Sequence, residues 1–361
     1  MAARSTLGVE TPLAMSRRAA LGRLLRAGML GAAADLFGGT LGAQGRATGS
    51  GWTANFTEWK VPTRGTRPHD PLAMADGSIW YSGQMASVLG RLDPDSGRIT
   101  EFRTAIPDSG PHGLAADRAG NIWFTANFKA YIGKLEPRTG RITVYPLPDP
   151  EARDPHTPVF DPSGILWFTV QGAGMIGRLD PASGDVRLIK LPDRDSLPYG
   201  IAVNTFGVPF FAEFNANRLG SIDPQTLAVR EYRLPASGAR PRRIVITPDD
   251  AVWYTDYARG YLGRFDPRSG QAREWPSPAG AGAQPYGIAA AAGMIWYSES
   301  GIDPNTLVRF DPRTETFQTW PIPSGGGVVR NMAVTPDGSL VLALSGVDRI
   351  ALVQLKRADA P

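Results

Sequence analysis

The stretch "PHGLAADRAGNIWFTANFKAYIGKLEPRTGRITVYPLP", residues 111–148, decides the fold, because the chain writes close variants of it seven times. The copies open at Pro68-His69, Pro111-His112, Pro155-His156, Pro198-Tyr199, Pro241-Arg242, Pro285-Tyr286 and Val329-Arg330, always 43 or 44 residues apart. A period this constant is the mark of a repeat architecture, and its length suits four short strands joined by tight turns, one propeller blade per copy.

Each copy supplies those four strands. A short apolar run follows the opening dipeptide, and a second strand carries an aromatic pair such as "IWFT" or "VWYT", which degenerates to "LVLA" at Leu340 to Ala343. A third strand of the type "LGRLD" ends in Asp-Pro-x-Ser/Thr-Gly, as in "DPDSG" at 93–97 and "DPRSG" at 266–270. Proline presets φ there and glycine accepts a positive φ, which makes a hairpin turn. The fourth strand alternates and runs out at proline. The last copy has no fourth strand of its own, whereas "FTEWKVP" (Phe56 to Pro62) precedes the first full copy. We therefore expect an all-β, seven-bladed propeller over residues 54–357, with the N-terminal strand closing the ring against Arg349 to Leu355 and so removing an exposed sheet edge. Trp80, Trp123, Trp167, Trp253 and Trp296 fall at one register of the second strand and are read as packing between blades rather than as a platform for bases or sugars.

Composition agrees with this reading. Of 361 residues 42% are hydrophobic and 20% charged, enough apolar material for a large core, while 42 glycines and 32 prolines demand many turns. The first 43 residues differ from the rest: Ser16-Arg17-Arg18, a weakly apolar Ala/Gly/Leu stretch and small residues near Ala43 read as a twin-arginine export signal, with Met15 a second candidate start. Residues 44–53 would then be a linker and 358–361 a tail. Removing the leader takes away five arginines and two acids, so the formal charge falls from +4 to +1 and the basic balance needed for a nucleic-acid partner disappears. No cysteine is present, which excludes disulfides and thiolate metal sites. The expectation is a periplasmic or secreted monomer without a membrane span.

In a propeller the first strand of each blade lines the central channel. The residues after the opening position, His69, His112, His156, Tyr199, Arg242, Tyr286 and Arg330, should thus form a ring near one mouth, and they include every histidine in the chain. One side of that ring suits proton exchange or metal binding, the other suits anionic or carbonyl groups. Asp154 lies two residues before His156, and Glu213, Asp256 and Glu299 follow the aromatic pairs of blades 4, 5 and 6.

The repeated "PHGLAAD…GNIWFT…YIGKLEP…GRITVYPLP" resembles the streptogramin lyase family over essentially all of the chain that follows the leader. What the resemblance implies is a Mg²⁺-assisted elimination that opens a cyclic depsipeptide at its ester, with a histidine moving the proton and the cation stabilising oxyanion charge. The family's two catalytic histidines open its last two blades, and a glutamate follows the last aromatic pair. Here those places hold Tyr286, Arg330 and, after Val341-Leu342, Ser345. Losing such a base costs roughly 10²–10⁴ in rate. The family's succession of His, acid-x-His and Tyr recurs on other blades as His112, Asp154 with His156, and Tyr199, with Gln171 where a metal-binding glutamate would stand. Three readings follow: a carbon–oxygen lyase using His112, His156 and Tyr199, with Asp154 and Gln171 toward Mg²⁺; a non-catalytic propeller that binds a small or peptide-like ligand or a protein partner at the mouth through Tyr199, Arg242, Tyr286 and Arg330, with His69, Glu213 and Glu299 beside them; and a metal-dependent lactonase, which the shortage of carboxylates in the ring disfavours.

Overall fold

The computed structural model describes residues 41–44 and 51–357; residues 1–40 of the expected export signal, residues 45–50 of the expected linker and the tail at 358–361 lie outside the described residues. Within them stand seven antiparallel sheets, one per repeat. Blade 1 is Pro68–Ala73, Ile79–Gly83, Val88–Leu92 and Ile99–Arg103, paired in that order. Blades 2 to 6 repeat the order. The helical content among the described residues is three single 3₁₀ turns, at Gln171–Ala173, Gly280–Gly282 and Ser345–Val347.

The seventh sheet closes the ring as the missing fourth strand requires. Val329–Val334, Leu340–Leu344 and Arg349–Arg357 come from the C-terminal end, and Trp52–Lys60 from the N-terminal end pairs antiparallel with the last of them, Phe56 opposite Val353. A further short strand, Leu41–Gln44, pairs with Asn55 to Glu58 on the outer side, so the expected cleavage point after Ala43 falls inside a paired strand.

The core lies between blades rather than inside any one of them. Trp80 and Leu89 of blade 1 cluster with Leu114, Phe124 and Leu135 of blade 2, and Trp123 of blade 2 clusters with Phe168 and Met175 of blade 3. All five repeated tryptophans are at most 2% exposed, which assigns them to packing. At the closure, Phe56 joins Trp296 and Trp320 of blade 6 and Leu342 of blade 7, so the N-terminal strand is stitched to two blades by apolar burial as well as by hydrogen bonds.

Candidate functional site

Every blade opens with the same backbone irregularity. The register between first and second strands shifts between Pro68 and Pro71 in blade 1 and at the matching place in the other six. A bulge sets two successive residues against one partner, and here it directs both the ring residue and its successor to the channel. In five blades a hydroxyl holds the bulge in place. Ser82, Thr125, Thr169, Thr255 and Ser298 each accept from the bulged N–H, from Asp70 (3.0 Å) to Gly287 (3.1 Å), and donate to the carbonyl of the next blade's first strand. The Ser or Thr that follows the aromatic pair therefore fixes the ring geometry.

The upper tier is the ring expected from sequence. His69, His112, His156 and Tyr199 stack in succession, with centroid separations of 3.6, 3.7 and 3.9 Å, and each is at most 3% exposed. Across the mouth the Tyr199 and Tyr286 hydroxyls hydrogen-bond, and Arg242 Nη2 donates to Tyr199 Oη at 3.2 Å. The Arg242 guanidinium sits in an aromatic cage, 3.7 Å from the Tyr286 centroid, 4.3 Å from Tyr257, 4.8 Å from Tyr199 and 4.9 Å from Phe214. Arg330 donates from Nε to Ser345 Oγ at 3.1 Å. Phe214 and Tyr257 escaped the sequence reading, although each follows the aromatic-pair strand by one place, where the chain turns over the mouth.

A lower tier was not foreseen. Asp70 and Arg243, both side chains 3% exposed, form an ion pair across the channel with Nη2–Oδ1 at 2.7 Å and Nη1–Oδ2 at 3.2 Å. Arg243 also donates to Thr157 Oγ1 (3.1 Å), Asn331 Nδ2 donates to Asp70 Oδ2 (3.0 Å), and His69 Nδ1 lies 2.8 Å from Asp70 Oδ1. These residues occupy the register after the ring, which reads Asp70, Gly113, Thr157, Gly200, Arg243, Gly287 and Asn331. Side chains come only from the odd blades. In blades 2 and 4 a Cβ has no room, meeting the His156 carbonyl at 2.4 Å from Gly113 and the Arg242 carbonyl at 2.8 Å from Gly200, and in blade 6 one on Gly287 would be tight against the Asn331 backbone at 3.1 Å.

Electrostatics follow from burial and charge. Desolvation holds the pKa of His69, His112 and His156 well below the ordinary imidazole value, and the neighbouring cations add to the effect, Arg330 foremost at His69 and Arg243 at all three. The imidazoles are therefore neutral near pH 7. His69 Nδ1 has Asp70, His156 Nδ1 has Thr157 Oγ1 at 2.9 Å, and His112 Nδ1 has no hydrogen-bond partner among the described residues.

The acids sit apart from this stack in their bonding. Glu213 bonds Arg218 at 2.9 Å, Asp256 bonds Arg259 at 2.6 Å, and Glu299 accepts from the Ala279 N–H (2.8 Å) and Thr306 Oγ1 (2.5 Å). Burial still pushes Glu213 up to about 7, against the pull of Arg218. Asp154, half-buried at positive φ, accepts from Asn127 Nδ2, and desolvation raises it to about 7. Gln171 lies in the 3₁₀ turn beside it, its N–H donating to the Asp154 carbonyl at 2.9 Å. Val170, not Gln171, is the register partner of Pro155 and so the counterpart of Glu213, Asp256 and Glu299.

The sequence model of the virginiamycin B lyase family matches residues 39–269 and 210–358. The chain belongs to the virginiamycin B lyase family. Its structure is similar to that of selenomethionine-substituted virginiamycin B lyase from Staphylococcus aureus, with 25% identity over 83% of this chain and 99% of that one and a TM-score of 0.77. A streptogramin B lyase structure is 29% identical over 84% of this chain and 98% of that one, also with a TM-score of 0.77. The same figures as for the first hold for a catalytically inactive histidine-to-alanine form of the S. aureus enzyme with quinupristin. No curated protein matches the chain. Among the described residues no helix is long and apolar enough to cross a membrane. Arg242, Arg243 and Arg330 converge on the ring, and among the described residues the buried carboxylate in contact with one of them there is Asp70, bound by Arg243.

Proposed function

We propose that this lyase-family propeller is exported and binds a small ester- or carboxylate-bearing ligand at the His69–Arg330 mouth, without the family's magnesium-assisted elimination. The observation that supports this most is the charge of the ring: three guanidiniums face one carboxylate while the imidazoles are neutral, an arrangement that attracts carbonyl oxygens and anions and repels a cation. The donors suit Mg²⁺ poorly. Mg²⁺ wants an octahedron of oxygens. Asp70, the acid nearest two imidazoles, already carries Arg243, Asn331 and His69, and the Asp154 carboxylate is bonded by the neutral amide of Asn127, with no second acid beside it among the described residues. On the histidine side of the same face, Met85 and Phe128 are 53% and 51% exposed beside the Gln84–Asn127 hydrogen bond, an apolar rim for a ligand's non-polar part.

A second reading, carbon–oxygen lyase with His112 and His156 as base and acid, is favoured by the free Nδ1 of His112 and by the neutrality of the stack. Against it stands the loss of histidine from the last two blades, since a histidine-to-alanine change is what makes the S. aureus relative catalytically inactive. One experiment separates the two. Purified protein is analysed for bound metal, then given streptogramin B and simple lactones with and without Mg²⁺, while binding of the same compounds is titrated directly. We expect binding that Arg330→Ala weakens about tenfold or more, and no ring opening. Mg²⁺-dependent opening that His156→Ala lowers by roughly 10²-fold would overturn the binding reading in favour of the lyase.

A further inference from the structure

In blades 1 and 5 a third-strand arginine stands opposite the repeated tryptophan and pairs with an acid in the turn below. Arg91, opposite Trp80, reaches Asp76 at 3.2 Å; Arg264, opposite Trp253, reaches Asp249 at 2.9 Å. Blade 6 has the cation without that acid, as do blade 2 (Lys134, with Ala119 in the turn) and blade 3 (Arg178, with Ser163), where the cation is partly exposed. Arg309 stands opposite Trp296, but the turn there reads Ala291-Ala292-Gly293, with Ala292 at the place of Asp76 and Asp249. Arg309 is nonetheless only 6% exposed, and its Nε has no partner among the described residues. An uncompensated buried guanidinium is costly, and desolvation accordingly depresses the Arg309 pKa, partly offset by Asp311.

Arg309 opens into a cleft of about 630 Å³ between blades 6 and 7, lined also by Trp52, Asp311, Arg313, Thr316 and Arg357. Asp311 leans on Arg313 at 3.5 Å, and the Arg309 guanidinium lies 5.8 Å from the Trp52 ring. Three guanidiniums against one carboxylate leave two positive charges, and planar N–H forks match the oxygens of a phosphoryl group. We propose that this cleft, formed by the turns at the end of the blades opposite the histidine mouth, binds a phosphate dianion, either inorganic phosphate or a small phosphomonoester. The proposal is independent of the mouth site.

Titration calorimetry of the full chain with inorganic phosphate and, separately, with phenyl phosphate at matched ionic strength tests it. Saturable binding to the wild type is expected, with affinity for at least one of the two lost by about tenfold or more in Arg309→Met and kept in Arg91→Met. Tighter phenyl phosphate assigns the cleft to an esterified ligand, and tighter inorganic phosphate to the free ion. If Arg309→Met does not fold, the Arg313→Ala/Arg357→Ala double variant carries the same expectation. Heats no larger than those of chloride, affinity unchanged in the blade 6 variants, or an equal loss in Arg91→Met would overturn the assignment.

Discussion

The ion pair that spans the channel makes a quantitative prediction. Replacing Arg243 by Met keeps the volume of the side chain and deletes its charge, leaving Asp70 buried with only Asn331 and His69. At 2.7 Å and an effective dielectric near 20, the Arg243–Asp70 attraction is about 6 kcal/mol, set against a desolvation cost of several kcal/mol per ion. The net worth of the pair is thus small, but removing one partner leaves the other charge stranded, and the loss expected for Arg243→Met is about 3–5 kcal/mol. Adding Asp70→Asn should recover most of it, because the stranded charge is gone. The histidine beside the pair adds a pH dependence. Arg243 is among the charges that depress His69, so its removal lets His69 take up a proton more readily and offer Asp70 a new cation at 2.8 Å. The loss in Arg243→Met should therefore shrink between pH 7 and pH 5.5. Urea unfolding followed by tryptophan fluorescence measures all three quantities. A single-variant loss under about 1 kcal/mol, or a double variant no better than the single, would refute the idea that this pair is a closed, buried unit.

Three further outcomes are expected. Because His112 is held below its ordinary 6.5, the native state binds fewer protons than the unfolded chain below about pH 6.5, so His112→Gln should lose less stability than the wild type between pH 6.5 and 5; Asp154 and Glu213, raised to about 7, push the opposite way, and the variant-minus-wild-type slope in urea midpoints isolates the histidine. Phe56→Ala, at a 2% exposed residue of the closing strand, should cost about 3–5 kcal/mol and open the blade 7 edge to amide hydrogen exchange; unchanged exchange in Arg349 to Arg357 counts against closure as a source of stability. Replacing Arg17 and Arg18 by Lys should leave precursor in the cytoplasm, and normal export of that variant removes the twin-arginine reading.

How much of this was legible in the chain depends on whether the feature is local. Blade number and strand order were readable because each blade repeats its own punctuation, an opening proline, an aromatic pair and a Pro-x-Ser/Thr-Gly turn, and those signals act within about forty residues. The ring of His69, His112 and His156 was readable because period alone places it. Its chemistry was not, since the stack's neutrality depends on burial and on arginines from other blades.

The lower tier shows where the boundary lies. Asp70 and Arg243 are 173 positions apart and meet across the axis, so no local pattern pairs them. Yet the alternation at their register, Asp70, Gly113, Thr157, Gly200, Arg243, Gly287 and Asn331, was in plain view. Its meaning is geometric: at the narrow axis neighbouring strands approach so closely that a Cβ on Gly113 would strike the next blade, and only every other blade has space to project a side chain. With two positions forced to glycine and a third crowded, the side chains that remain must satisfy one another in a dry channel, which requires a charge to meet its opposite. Asp70 and Arg243 are the two charged residues of that register, and their pairing is the arrangement burial permits. The same reasoning turned on Arg309, which lacks the turn acid that blades 1 and 5 supply to their arginines, locates the one third-strand arginine that is buried with its Nε unpartnered among the described residues. A departure from a repeated pattern is thus informative, because blades 1 and 5 show the partner that Arg309 lacks.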